Sequence, residues 1–311
     1  MTGSDLYYML KPIIPRGLQI AARGMLARRT RKRVAQIWPI DERSGSPPPD
    51  WKGWPEGKQF AFILTHDVDT SRGLERCCAL MELEERLGFR SAFYFVAEDY
   101  RIPTGLFQHM KARGFETGVH GLTHTGNPFS SAPRWRRQAQ EINLHLKRWG
   151  AVGFRSPSMY HNLEWIGHLD IEYDLSTFDT DPFEPQPKGL GTIFPVWVQG
   201  KDGRPGYLEL PYTLPQDFTL FALMRERSIR IWKDKLRWVA QKGGMALVIV
   251  HPDYLNWGEG ERGPDEYPVQ YYLDFLNHVR HTYAGMYWNA LPHHVARFYA
   301  THYGHTGIEQ F

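Results

Sequence analysis

Four side chains that could hold a metal ion or move a proton lie directly after short apolar runs of the sequence. His120 and His124 are four residues apart, a spacing at which two imidazoles can bind one ion. Asp67 and Asp69 are two residues apart and follow the run Phe60–Leu64. Taken alone, the histidine spacing often arises by chance, and paired carboxylates are more often a turn or a helix cap. Their combination favours a shared metal site over these separate explanations.

Three more polar residues, Arg155, Asp179 and His251, stand in equivalent positions after later apolar runs. Taken alone, Arg155 is typical of a surface ion pair, and His251 is typical of a hydrogen-bonded core histidine. The carboxyl ends of parallel strands meet at one end of an α/β barrel. If the apolar runs are parallel strands, their polar ends converge on one mouth.

The elements that must position these residues follow from an alternation of short apolar runs with amphipathic stretches after Phe60. This alternation predicts parallel strands joined by crossover helices, in a single α/β barrel with extensions. Strands are expected at 60–64, 91–96, 116–119, 152–154, 171–175, 207–210, 246–250 and 286–288. Helices are expected at 74–87, 106–113, 134–149, 226–242, 269–283 and 295–299, with a short one around 165. Residues 179–206 are predicted to form an irregular insertion over one end of the barrel.

The composition favours a globular protein with a sizeable core, since 42% of the 311 residues are hydrophobic and 14% are aromatic. A mean hydropathy of −0.49 and the lack of a long uninterrupted apolar run argue against a membrane-spanning chain. The adjacent Cys77 and Cys78 suit neither a disulfide framework nor a zinc ribbon, so buried thiols in a reducing compartment are expected. The N-terminus lacks the apolar core of a secretory signal. The expected location is therefore the cytoplasm.

The positive charge is concentrated at the N-terminus. Residues 1–40 hold eight basic residues and one acidic residue, a net charge of +7, which leaves −4 for the rest of the chain. Within residues 6–37, apolar residues recur at helical spacing from Leu18 to Leu26. A basic amphipathic helix can be a membrane-surface element, a partner-binding helix or a helix packed on the barrel, and the sequence leaves all three open. The predicted division is a basic extension (1–43), a proline-rich linker (44–57) and a catalytic barrel (58–311).

Taken in order, the polar clusters resemble the five motifs of the polysaccharide deacetylases of the NodB-homology type, carbohydrate esterase family four. The resemblance runs from about Phe60 to Tyr254. The matching segments are Thr65-His66-Asp67-Val68-Asp69, His120-Gly121-Leu122-Thr123-His124, Arg155-Ser156-Pro157, Tyr173 to Asp179, and Leu247 to His251. His66 replaces the usual Phe, Gly121 a hydroxyl residue, and Thr180 a Trp. The resemblance implies a distorted (β/α) barrel of about seven strands, here with a basic helical N-terminal extension.

The resemblance also assigns a metal centre. Asp69, His120 and His124 would be the ligands of one divalent ion, with zinc expected, because two imidazoles and a carboxylate leave coordination positions open for water and substrate. A backbone N–H near Ser158 would help to bind the oxyanion of the reaction.

The remaining motif residues would move protons. Asp67 would be the general base, and Arg155 would orient it and keep it ionised. His251 would be the general acid that protonates the departing amine, and Asp179 would hydrogen-bond His251. The usual Trp forms one wall of the family's sugar groove. Trp197, Tyr160 or Phe183 could replace this Trp here, and the sequence leaves open which of the three does so.

The expected activity is the metal-dependent hydrolysis of an N-acetyl group on a sugar or polysaccharide precursor, as in envelope or exopolysaccharide synthesis. One alternative is a hydrolase of cyclic imides or ureides with the same site. Another is a carbohydrate-binding scaffold without activity. An anionic membrane and a synthase complex are the candidate partners of residues 6–37, and packing of this segment on the barrel is the third option left open. No nucleic-acid partner is expected.

Overall fold

The computed structural model describes residues 15–49, 51–184, 186, 188–258 and 261–303. Its strands are β1 (Phe60–Val68), β2 (Ser91–Phe95), β3 (Glu116–Val119), β4 (Gly153–Phe154), β5 (Tyr173–Asp174), β6 (Val196–Val198), β7 (Tyr207–Glu209), β8 (Met245–Ile249), β9 (Leu255–Asn256), β10 (Tyr267–Pro268) and β11 (Tyr287–Asn289). Its helices are α1 (Arg16–Arg33), α2 (Ser71–Arg86), α3 (Leu106–Ala112), α4 (Ala132–Trp149), α5 (Leu163–Ile166), α6 (Arg230–Lys242), α7 (Val269–Thr282) and α8 (Pro292–Tyr303).

The long strand β1 is the centre of a curled, mostly parallel sheet. One of its edges pairs with β8, and the other pairs first with β11 and then with β2. The strands β3, β4, β5 and β7 continue the sheet in parallel, and β6 lies antiparallel at its far edge. Every residue of β1 is buried, as is usual for a parallel strand covered on both faces. The carboxyl ends of the parallel strands therefore lie at one mouth.

Thr213, just after β7, closes the gap between β7 and β8. Its hydroxyl donates to the Met245 carbonyl at 2.7 Å and accepts from the Leu247 amide at 3.0 Å. The amides of Thr213 and Leu214 both donate to the Leu247 carbonyl, at 3.2 Å. These bonds replace a continuous strand ladder between β7 and β8, so the barrel is distorted at this point. The predicted fold class, a distorted (β/α) barrel, is confirmed. The sequence pattern does not predict β6, β9 or β10, and β6 lies inside the stretch expected to be irregular.

Side chains of β1 alternate between two buried clusters, as the two-residue period of a strand requires. Phe60, Phe62 and Leu64 pack outward against the helices, whereas Ala61 and Ile63 point into the barrel. The barrel interior also holds three large aromatic side chains, Tyr94, Tyr173 and Tyr212. The interior is thus a packed core below the mouth.

Helix α1 packs on the barrel through the face opposite to its predicted apolar stripe. Ile20, Gly24 and Ala27 are buried, and a Cβ on Gly24 would lie 2.7 Å from the Leu223 carbonyl oxygen. The helix therefore contacts the π-helical segment Phe218–Leu223 closely. Residues 1–14 of the predicted extension lie outside the described residues. No helix in the described ranges has the length and apolar character needed to cross a membrane.

The segment predicted as a linker packs against the amino-terminal side of the barrel. The Trp54 indole donates to the Gly243 carbonyl at 2.8 Å, just before β8, and the Trp51 ring stacks on Tyr303 of α8 at 4.8 Å. The Ser44 carbonyl accepts from the Ile193 amide at 3.1 Å. The three predicted domains remain a prediction, but these described residues are part of the barrel's surface.

Candidate active site

The end of β1 places two carboxylates at the mouth. Asp67 is the eighth residue of β1, and Asp69 follows its last residue. The Asp69 amide donates to Asp253 at 3.0 Å, and the Thr70 hydroxyl donates to the same carboxylate at 2.5 Å. The first turn of α2 lies against Asp253, since a Cβ on Gly73 would meet its carboxylate oxygen at 2.1 Å. Asp253 thereby fixes the loop that carries Asp69.

The loop after β3 brings two imidazoles to the same place. The His120 amide donates to the Phe95 carbonyl at 2.8 Å, which continues the β2–β3 ladder by one residue. His120 Nδ1 lies 3.0 Å from the Arg155 carbonyl oxygen, an acceptor, so Nδ1 carries the proton and the Nε2 lone pair is free. The His124 amide donates to Asp99 at 2.7 Å.

Asp69, His120 and His124 form a three-donor cluster whose candidate ligand atoms all lie within 4.8 Å of one another. Asp69 Oδ1 lies 3.5 Å from His120 Nε2 and 3.3 Å from His124 Nε2. This oxygen is buried without a hydrogen-bond partner among the described residues, a costly state that a cation would relieve. Burial alone would raise the pKa of Asp69, but the neighbouring imidazoles hold it below its usual value. Two nitrogens and one oxygen suit zinc, so the residues present fit the expected ion.

Beside this cluster, Asp67 is paired with a fully buried arginine. Arg155 Nη1 donates to Asp67 Oδ1 at 2.7 Å and to the Thr65 hydroxyl at 3.0 Å. The guanidinium also lies 4.9 Å from the centre of the Tyr94 ring. Burial opposes ionisation of Asp67, but Arg155 and the nearby histidines hold its pKa below the usual value. Asp67 is therefore a carboxylate at neutral pH, with Oδ2 directed toward the cluster, 4.0 Å from His120 Nε2.

On the other flank of Asp67, His251 follows β8 and is held by Asp217. Asp217 accepts from the His251 ring at Nδ1, 2.7 Å away, and from the His251 amide at 2.8 Å. It also accepts from the Tyr267 hydroxyl at 2.9 Å. Burial would lower the pKa of His251, but Asp217, with help from Asp69 and Asp67, raises it to about 10. His251 is thus an imidazolium with Nε2 3.9 Å from Asp67 Oδ2.

The predicted contact between Asp179 and His251 is wrong, because Asp217 occupies that position. Asp179 Oδ2 instead accepts from Lys235 Nζ of α6 at 2.6 Å, and both side chains are buried. The Asp179 amide is held by the Tyr212 carbonyl at 2.9 Å, which fixes the residue in this ion pair. Asp217 was missed because its only local signal is an Asp before an apolar run, the ordinary pattern of a helix cap.

Comparisons with known proteins decide the fold family. Neither a scan against protein-family models nor a search of curated proteins found a match. A structure described as that of a polysaccharide deacetylase from Mycobacterium smegmatis superposes with a TM-score of 0.59 at 16% identity, covering 86% of this chain and 97% of that one. A second such deacetylase, from Pseudomonas aeruginosa PAO1, gives 0.60 at 15% identity, covering 83% and 96%. The chain has the NodB-homology fold.

A third similar structure, PuuE allantoinase, has a TM-score of 0.64 at 14% identity and covers 86% of this chain and 99% of that one. At these identities the likeness establishes the fold alone. NodB-homology barrels thus include proteins of different named activities, so the activity of this one is argued from its site.

One departure from the NodB-homology motifs, His66, is structural. Its ring is buried on the outer side of β1, with Nδ1 2.9 Å from the Val250 carbonyl and Nε2 2.7 Å from Glu84. Glu84 is fully buried and also accepts from the Ser91 and Tyr272 hydroxyls. His66 therefore ties β1, β8 and α2 together and does not line the pocket.

A second departure, Gly121, is required by the backbone. Its φ of +71° lies in the left-handed region, which a hydroxyl residue would adopt only with strain. A Cβ there would lie 2.8 Å from Pro157 Cδ, in the loop after β4. Glycine therefore allows the loops carrying His120 and Arg155 to approach each other.

The cluster lies in a cavity of about 860 Å³ at the mouth of the barrel. Tyr160 and Phe183 line this cavity, whereas Trp197 is buried in the inner core. Of the three candidates for the missing aromatic wall, the first two are thus in position. Ser158 and Met159 also line the cavity, and both have a φ of +55°, a strained conformation that often accompanies function. The oxyanion role of a backbone N–H near Ser158 stays a prediction.

Proposed function

We propose that the protein is a metal-dependent N-deacetylase that acts on an N-acetylated sugar or polysaccharide precursor. The observation that carries the proposal is a buried carboxylate, Asp67, lying between a three-donor cluster and an imidazolium. Asp69, His120 and His124 would hold one divalent cation, with zinc proposed. A cation bound there would lower the pKa of a water molecule and polarise the amide carbonyl. A pure binding protein has no use for a base and an acid beside such a cluster.

Asp67 supplies the base. Because Oδ1 is occupied by Arg155, Oδ2 is the oxygen free to accept a proton from the attacking water. The guanidinium keeps the carboxylate ionised, so it is ready to accept that proton at neutral pH.

His251 supplies the acid. Its Nδ1 proton is held by Asp217, so Nε2 is the atom that faces the reaction. As the carbon–nitrogen bond breaks, the Nε2 proton passes to the nitrogen, and the product leaves as an amine and not as an unstable amide anion. After the reaction, Asp67 holds one proton more and His251 one proton fewer, so a proton transfer back restores both groups.

The pocket suits a sugar. Tyr160 and Phe183 offer aromatic surface, and Glu184 and Gln216 offer hydrogen-bonding groups beside it. Most of the other lining residues are polar or charged, which suits the many hydroxyl groups of a sugar. We further propose that the substrate is a precursor of envelope or exopolysaccharide synthesis, and that the protein works in the cytoplasm.

A cyclic ureide is a second candidate substrate class. The likeness to PuuE allantoinase favours it only at the level of the fold. The same base and acid could open a cyclic amide bond, so the two classes must be separated by assay.

The test is an acetate-release assay with the protein stripped of metal and then reloaded with Zn²⁺. N-acetylglucosamine oligomers and nucleotide-linked N-acetylated sugars form one arm, and allantoin and hydantoin form the other. We expect acetate release that depends on the metal, and a loss of about 100- to 10,000-fold in Asp67→Asn with the metal retained. Ring opening without acetate release would favour the ureide alternative, and full activity of Asp67→Asn would refute the assigned base.

A further inference from the structure

The outer face of α1 carries an apolar surface that the barrel does not cover. Leu18, Met25 and Leu26 are 63%, 52% and 64% exposed. They lie opposite the face that packs on Phe218–Leu223. Of the six large hydrophobic side chains that are exposed in the described residues, three lie on α1 and a fourth, Ile37, follows it. Scattered exposed apolar residues are ordinary, but a concentration on one helix face marks an interaction surface.

The same outer face is strongly basic toward the end of the helix. Arg28, Arg29, Lys32 and Arg33 are exposed, and none has a carboxylate within 4.0 Å in the part of the chain that the structure describes. No acidic residue occurs between Pro15 and Ile40 in the sequence. By helical spacing, Arg29, Lys32 and Arg33 continue the direction of the apolar stripe, whereas the Arg28 guanidinium lies beside Gly24 of the packed face. The surface is therefore apolar over its first turns and cationic over its last.

We propose that this face of α1 docks onto an anionic lipid bilayer. Apolar side chains that reach the acyl boundary and basic side chains that meet anionic headgroups are the two components of interfacial helix binding. Charge complementarity selects this occupant, since the exposed face is positively charged over its last turns and the helix carries no carboxylate.

Docking would fix the position of the active site, because α1 also forms part of the pocket wall. Arg16 and Arg23, on the inner side of the helix, line the cavity that holds the three-donor cluster. The cavity would lie about one helix diameter, roughly 10 Å, behind the bilayer surface. A substrate carried by a lipid would then be within reach. This proposal goes beyond the deacetylase function, and its test needs no catalysis.

The test is flotation of the full chain with vesicles of phosphatidylcholine, with and without phosphatidylglycerol. We expect the protein to float with the anionic vesicles only, and less strongly as salt is raised. The triple variant Leu18→Ser, Met25→Ser, Leu26→Ser should lose at least about tenfold in partition. The variant Arg29→Gln, Lys32→Gln should lose about 25-fold, since each basic residue near an anionic surface contributes roughly fivefold. The matched control, Leu144→Ser with Met286→Ser, removes exposed apolar side chains elsewhere and should float like the wild type.

Thermal unfolding checks that each variant is folded before flotation is compared. A wild type that does not float with anionic vesicles overturns the proposal, as does a triple variant that floats like the control. If light scattering instead finds a dimer that the triple variant loses, the face is a contact between two copies and the proposal fails. Since acetate release is measured separately, failure here leaves the deacetylase proposal intact.

Discussion

Replacing Asp217 with Asn should move the high-pH limit of activity to lower pH. Burial alone would lower the pKa of His251. The charge of Asp217, its hydrogen bond to the ring, and the charges of Asp69 and Asp67 together raise this pKa to about 10. His251 works as an acid, so it must be protonated, and its protonated fraction falls as pH rises through its pKa. The wild type should therefore stay active well above neutral pH.

The size of the change follows from the lost charge. An opposite charge at close range shifts a pKa by about 1–3 pH units, each worth about 1.4 kcal/mol of preference for the charged form. Asp217 is fully buried and touches the imidazole ring directly, so a shift in the upper half of this range is expected. The high-pH limit should fall by about two pH units, and activity near pH 6 should be affected least.

The assay is the pH profile of kcat/KM for acetate release, measured with the wild type and the isosteric variants Asp217→Asn and Asp179→Asn. Asp179→Asn is the matched control, because Asp179 is also buried and charged but pairs with Lys235. This control should unfold more easily, since it leaves a buried lysine unpaired, but its high-pH limit should not move. A shifted limit in Asp179→Asn and an unchanged one in Asp217→Asn would refute the reasoning.

Three further predictions concern groups around the site. The variant Arg155→Met removes the positive charge that lowers the pKa of Asp67, so the low-pH limit of kcat/KM should move to higher pH. An unmoved limit would contradict the pairing of Asp67 with Arg155. Gly121→Ala should lower the free energy of unfolding by about 1–3 kcal/mol, because of its positive φ and the contact with Pro157, and should weaken Zn²⁺ binding. Urea unfolding and metal titration check this, and wild-type values in both would rule it out. Glu84→Gln should lower the free energy of urea unfolding by about 1–3 kcal/mol, because it disturbs a buried hydrogen-bond network with His66, Ser91 and Tyr272, but should leave the pH profile unchanged; wild-type stability would count against that network.

The meeting of the site residues at one mouth could be predicted, because it follows from the alternation of apolar runs and amphipathic stretches in the sequence. Apolar runs that end in Asp, His or Arg give parallel strands, and their carboxyl ends necessarily share one mouth. Asp67, Asp69, His120 and His251 were therefore expected to lie close together, and the structure brings them within a few ångströms.

What the sequence could not predict depends on contacts between distant segments. Asp179 pairs with Lys235 of α6, whereas Asp217 reaches His251, and both contacts join segments far apart in the sequence. The spacing from Leu18 to Leu26 correctly predicts a helix, but the face it buries depends on the shape of Phe218–Leu223. Small residues on the opposite face let the helix approach that segment, and the apolar stripe is left exposed.

The most direct test of the metal centre is the metal content of the purified protein by mass spectrometry after loading with Zn²⁺ and removal of excess ion. The wild type should retain one zinc per chain, and so should Asp67→Asn. Asp69→Ala and His120→Ala should each retain almost none. Equal zinc content in the wild type and the Asp69→Ala variant would contradict the central claim.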